Sequence, residues 1–182
     1  MRAGFDQKIL LLLVFSLGIA GGHYLTVQPL QQACDGGVSV QSVFSPGADA
    51  VLVPLMQSAT QSIHAELYQF SYPDLREALA DAAMRGVDVK VILDPTVNSN
   101  LDTAAFLKSK GVQVRWSSPE FTYTHAKSAV IDGRKVAVGS INWSGNAMRN
   151  NREAEVVVES ARTAAEFEAV FAGDWLKASE VK

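Results

Sequence analysis

His125-Ala126-Lys127-Ser128-Ala129-Val130-Ile131-Asp132-Gly133-Arg134-Lys135-Val136-Ala137-Val138-Gly139-Ser140-Ile141-Asn142 is the stretch that decides how this 182-residue chain folds. Lys127–Ile131 and Lys135–Val138 are short runs rich in β-branched residues, joined by Asp132-Gly133-Arg134. Asp-Gly accepts the positive φ angles of a tight turn, so the two runs predict a β-hairpin. Residues two apart on a strand share a face, which brings His125 and Lys127 out side by side. Gly139-Ser140 ends the return strand, and Asn142 is expected to come back beside them.

Upstream of the hairpin, strand patterns alternate with helical ones. Val38–Phe44 alternates apolar and polar residues and reads as a strand, closed by the turn Ser45-Pro46-Gly47. Ala48–Thr60 places Val51, Leu52, Leu55, Met56 and Ala59 at helical spacing, with Pro54 predicting a late start or a kink. Ile63–Phe70 is a second strand. Pro73 opens a helix that carries Leu75, Leu79 and Ala82 and ends near Gly86. Val87–Leu93 is a strand, Leu101–Lys110 a short helix, and Val112–Trp116 another strand. After the hairpin come a last strand, Val156–Glu159, and a closing amphipathic helix, Ala161–Leu176. The succession predicts one α/β domain, a mixed β-sheet flanked by helices on both faces.

Composition limits the chemistry. The one cysteine, Cys34, cannot form an internal disulfide, and three histidines leave any zinc site dependent on carboxylates. Net charge is -3, which does not suggest a strongly basic nucleic-acid binder. Yet residues 100–152 hold eight basic and three acidic side chains, a local positive block that can hold an anion. At the other end, Arg2 and Lys8 precede the apolar run Ile9–Ala20, too short for a comfortable span of about 20 residues. Residues 1–22 therefore read as an export signal, with an uncleaved membrane anchor as the alternative. Residues 23–36 read as a linker and 37–178 as the catalytic domain, which makes the expected location periplasmic or secreted.

A histidine, a fixed lysine and a neutral amide converging at a strand end suit attack on a phosphate diester. The imidazole attacks phosphorus while Lys127, Ser140 and Asn142 hold the non-bridging oxygens. The spacing H-x-K-x4-D-x6-G-S-x-N, from His125 through Lys127, Asp132, Gly139 and Ser140 to Asn142, resembles the phospholipase D superfamily signature at every position. The segments Phe44-Ser45-Pro46-Gly47 and Gly86–Val91 resemble its small bacterial one-motif endonucleases. The likeness covers about residues 38–177.

That resemblance implies a phospholipase D-like fold and a metal-independent phosphodiesterase acting through a covalent phosphohistidine, with no cofactor. A second histidine would protonate the leaving oxygen and then activate water. Family members mostly carry two motifs and this chain has one, which implies a homodimer sharing a site between two His125 side chains. Asp132 joins the implied catalytic set in a supporting role. Glu153 matches the glutamate that hydrogen-bonds the nucleophilic histidine, although its neighbours Arg152 and Ala154 depart from the usual small polar residues. The expected substrate is DNA or RNA, with phospholipid as the alternative and an inactive binding module as a third reading.

Other residues carry blander expectations. His64 and Glu66 share a strand face without a third ligand, so His64 is read as structural. Trp116, Phe121, Tyr123 and Trp143 serve as packing or as stacking surfaces for bases or lipid chains. Arg149 and Arg152 either grip flanking phosphates or sit in a solvated loop.

Overall fold

The computed structural model describes residues 37–181; the leader and linker expected over 1–36 lie outside the described residues. The strands are β1 (Ser39–Phe44), β2 (Ser62–Leu67), β3 (Asp88–Leu93), β4 (Gln113–Trp116), β5 (Lys127–Ile131), β6 (Lys135–Gly139), β7 (Ala154–Glu159) and β8 (Ser179–Glu180). The helices are α1 (Asp49–Gln57), α2 (Pro73–Met84), α3 (Ser99–Ser109), α4 (Gly145–Arg149) and α5 (Ala161–Lys177). The strands form one mixed sheet in the order β1-β7-β6-β5-β2-β3-β4-β8. Only β2-β3-β4 run parallel, joined by the crossover helices α2 and α3. Every other pair is antiparallel.

The predicted elements fall within a few residues of those observed. α1 runs through Pro54 from Asp49, so the expected late start does not occur. The β5–β6 hairpin turns at Asp132 (φ 53) and Gly133 (φ 58), both left-handed, with the Arg134 N–H donating to the Ile131 carbonyl at 3.0 Å. This is the geometry for which Asp-Gly is suited. Two elements had no counterpart in the reading. α4 has five residues, too few to show a period, and is capped by the Ser144 hydroxyl. β8 continues the sheet past residue 178, pairing Arg115 with Glu180 and Trp116 with Ser179.

Burial divides the sheet's two faces. One face carries Ile63, Ala65, Leu67, Val89, Val91 and Ala129 against Leu52, Met56, Leu75, Leu79, Leu107 and Met148 of α1–α4, all buried. The opposite face is covered by α5 alone, where Ala164 and Phe167 meet Val130, Val136 and Val138. His64 lies beneath α5. Its Nδ1 is 2.6 Å from Glu168 Oε2, its Nε2 is 3.4 Å from Asp88 Oδ2, and its ring stacks on Phe171 with centroids 5.0 Å apart. It thus ties α5 to β2 and β3, a structural placement. Among the described residues no helix is long and apolar enough to cross a membrane.

Candidate active site

The strand directions gather one end of the sheet. β2 and β3 finish there, β6 returns there, and β5 and β7 start there. Crevices outside the carboxyl ends of parallel strands, next to a change of strand direction, are where α/β sheets bind ligands. His125 lies two residues before the start of β5 and is exposed, whereas Lys127, the strand's first residue, is 7% exposed.

The Lys127 ammonium donates to the His125 carbonyl at 2.9 Å and lies 3.0 Å from Nδ1 of the imidazole. Among the described residues no carboxylate hydrogen-bonds to this ammonium. Its burial lowers its pKa from the ordinary lysine value, opposed by the negative charge of Glu153. Both side chains meet Tyr68, the residue after β2. The Tyr68 ring centroid is 4.4 Å from that of His125, and the Lys127 nitrogen sits over its face at 5.1 Å.

Ser140 and Glu153 form the other side. The Ser140 hydroxyl donates to Glu153 Oε2 at 2.6 Å and accepts the Ala154 N–H at 3.2 Å. Asn151 Nδ2 donates to Glu153 Oε1 at 3.1 Å. The Ser140 and Asn151 hydrogen bonds, with the nearby Lys127 charge, hold the Glu153 carboxyl below the usual range. The expected hydrogen bond between His125 and Glu153 is not made among the described residues; the Glu153 carboxylate accepts from Ser140 and Asn151 instead. Asn142 stands on the segment anchored by the Trp143 N–H, which donates to Gln69 O at 3.0 Å. Among the described residues its buried Oδ1 has no hydrogen-bond partner.

Asp132, placed with the catalytic set from the motif, lies at the opposite end of β5. Its carboxylate accepts the backbone N–H groups of Thr60, Gln61 and Ser62 at 3.0, 2.7 and 3.0 Å, and the Thr60 hydroxyl at 3.0 Å. Those bonds lower its pKa against the effect of burial. Five strand residues separate it from the His125 end, roughly 3.3 Å each, so it holds the entry to β2 and cannot reach the site.

The positive block disperses in three dimensions. Arg149 pairs with Asp49 and Asp74, Arg115 with Glu180, and Arg134 with Glu159. Arg152 donates to the Ser45 carbonyl at 3.1 Å. Lys127 alone of the eight basic side chains is gathered with His125. Of the aromatic residues, Trp143 is core at 1% exposure, while Phe121 and Tyr123 are exposed at 45% and 57%.

Behind the site lies a buried polar layer that the sequence did not reveal. Asp94, at the end of β3, accepts the Thr124 N–H at 2.7 Å. Asn100 donates to the carbonyls of Tyr68 and Asp94, each at 2.8 Å, and accepts the Phe70 N–H at 2.9 Å. An Asp closing a parallel strand was the available signal, but its partner lies 30 residues away. Among the described residues no cluster of His, Cys, Asp or Glu is arranged to hold a metal ion.

Comparison with known proteins agrees with this layout. A family model described as "Cardiolipin synthase, PLD-like domain" matches residues 52–175. The chain is 34% identical over 109 residues to mitochondrial cardiolipin hydrolase of Mus musculus, covering 59% of this chain and 49% of that protein. It is 28% identical over 153 residues to phospholipase D of Rickettsia prowazekii, covering 82% and 72%. The chain spans about half the length of the first curated relatives it matches. The crystal structure of Nuc from Salmonella typhimurium, a phospholipase D family member, superposes with a TM-score of 0.75 at 29% identity, covering 80% of this chain and 99% of that one.

Proposed function

The chain belongs to the phospholipase D superfamily; from that premise we propose that it is a phosphodiester hydrolase that cleaves nucleic-acid phosphodiester bonds, as a non-specific endonuclease, through a phosphohistidine at His125. The observation that carries this reading is the convergence of His125 and Lys127 at one end of the sheet, 3.0 Å apart, with Ser140 and Glu153 brought to the same end.

In the first step an imidazole nitrogen of His125 bonds to phosphorus and the ester P–O bond breaks. The leaving oxygen takes a proton from a second imidazole. Lys127 donates to a non-bridging oxygen as its charge grows, and the Asn142 side-chain NH2 supplies a neutral donor. Water then attacks the phosphohistidine, losing a proton to the second imidazole, and the P–N bond breaks. His64 is held beneath α5 by Glu168 and Asp88 and cannot serve as that second imidazole. A homodimer supplies it, with His125 of the partner subunit facing the same phosphate.

The small single-motif domain supports a nucleic-acid substrate, as do flanks resembling the one-motif endonucleases. The second reading is hydrolysis of a phospholipid headgroup ester. It is favoured by the relatives named cardiolipin hydrolase and phospholipase D and by the exposed Phe44, Phe121 and Tyr123. The apolar run Ile9–Ala20 behind Lys8 supports action outside the cytoplasm under either reading.

Purified protein in chelator, offered plasmid DNA, RNA and cardiolipin vesicles, separates these outcomes. The reading predicts DNA or RNA cleavage, no turnover in His125→Ala, and a labelled acid-labile adduct in quenched wild-type enzyme. Headgroup release with intact nucleic acid moves the assignment to the lipid, and a fully active His125→Ala variant ends it.

A further inference from the structure

Tyr68 is the residue at this end of the sheet to which the motif assigns nothing, yet it touches both principal groups. Its backbone is held on both sides: the N–H donates to Ala126 O at 2.8 Å and the carbonyl accepts from Asn100, which is wholly buried. The ring is thereby fixed between the His125 imidazole at 4.4 Å and the Lys127 ammonium at 5.1 Å, with Tyr123 edge-on at 6.3 Å. Among the described residues its hydroxyl makes no hydrogen bond, so the contact with the site is made by the ring face.

Lys127 needs such a neighbour. Its side chain is buried, and among the described residues no carboxylate is hydrogen-bonded to it. A desolvated ammonium tends to give up its proton, or to move toward solvent, unless something compensates. The negative face of an aromatic ring does this without competing for the N–H groups that must reach substrate oxygens. A carboxylate in the same place would occupy those N–H groups.

We infer that Tyr68 is a positioning residue for the phosphodiesterase reaction, holding the Lys127 ammonium and the His125 imidazole through its ring face and not through its hydroxyl. The inference rests on the proposed roles of His125 and Lys127, and it adds a residue outside the motif to them.

The test uses the full chain and the minimal diester bis(4-nitrophenyl) phosphate, which is indifferent to nucleic acid or lipid. Tyr68→Phe should stay within about twofold of wild type and keep its pH–rate profile. Tyr68→Leu should lose roughly 3- to 30-fold in kcat, and its basic limb should move to lower pH by about 0.5–1.5. Tyr68→Met provides the same readout if the Leu variant does not fold. A Leu or Met variant with wild-type kcat and profile overturns the inference, and so does a Phe variant as impaired as Leu. His125→Ala is assayed in parallel. If it is inactive while Tyr68→Leu is normal, only the Tyr68 inference fails; if it is active, the reading of the site fails first.

Discussion

Asp94 Oδ2 accepts the backbone N–H of Thr124 at 2.7 Å, tying the end of a parallel strand to the residue before His125. The carboxylate is 1% exposed and its other oxygen takes the N–H of Thr96 at 2.8 Å and the Thr96 hydroxyl. It is therefore a buried anchor for the histidine loop.

Asp94→Ala leaves those donors without an acceptor in a site that water does not readily enter. The expected cost is about 1–3 kcal/mol of stability. Because the loop bearing His125 is released, kcat should fall as well, measured below the variant's melting transition. Urea unfolding and diester hydrolysis on the same preparation check both; unchanged kcat would show that the loop keeps its place without the anchor.

Asp132 should behave in the opposite way. Its bonds to residues 60–62 hold the start of β2 far from the chemistry. Asp132→Ala should lose roughly 1–3 kcal/mol but keep wild-type activity per folded molecule. The folded carboxyl titrates below the ordinary aspartate value of 3.8, so its contribution is present above that pH and fades as pH falls through the lower folded pKa. The stability gap between variant and wild type should accordingly close in acid.

Glu155 lies in β7 opposite Gly139, 4% exposed, and among the described residues its Oε2 has no hydrogen-bond partner. Burial pushes its carboxyl up to about 8 from 4.5. The folded form thus holds its proton where the unfolded chain has lost it. Stability is full below pH 4.5 and declines until the pH passes about 8. Glu155→Gln should remove this decline, on the order of a few kcal/mol. Denaturation midpoints at pH 5, 6.5 and 8 provide the measurement, and parallel curves for the two proteins would refute the assignment.

Gly139 is required by space. A Cβ there would lie 2.4 Å from the Ala154 carbonyl oxygen and 2.5 Å from Glu155 Cα, both backbone atoms that cannot swing aside. Gly139→Ala should therefore separate β6 from β7 at the site end, costing roughly 1–3 kcal/mol and displacing Ser140 from Glu153. A lowered urea midpoint together with reduced kcat is the expected pair of results.

Local chemistry was legible in the chain alone. Period-two runs such as Lys127–Ile131, the Asp-Gly turn and Pro73 at a helix start each express a preference carried by a few neighbouring residues, and the observed elements follow them. The pairing of His125 with Lys127 was legible for the same reason, since residues two apart share a face wherever the strand goes. Five-residue α4 and two-residue β8 were not, because neither is long enough to show a period.

Contacts between residues distant in sequence were decided only by the tertiary structure. Asp132 looked like part of the site because the motif lists it beside His125, but a strand carries its two ends to opposite edges of the sheet. Glu153 looked like a partner for His125, whereas the antiparallel return of β7 gave it to Ser140. The positive block of residues 100–152 was dispersed, with Arg115, Arg134 and Arg149 drawn into separate ion pairs, since neighbours in sequence point to different faces. Tyr68, Asp94 and Asn100 entered the site through strand order, which no local preference encodes: pairing β5 against β2 brings the end of one strand to the start of another across 60 residues of chain.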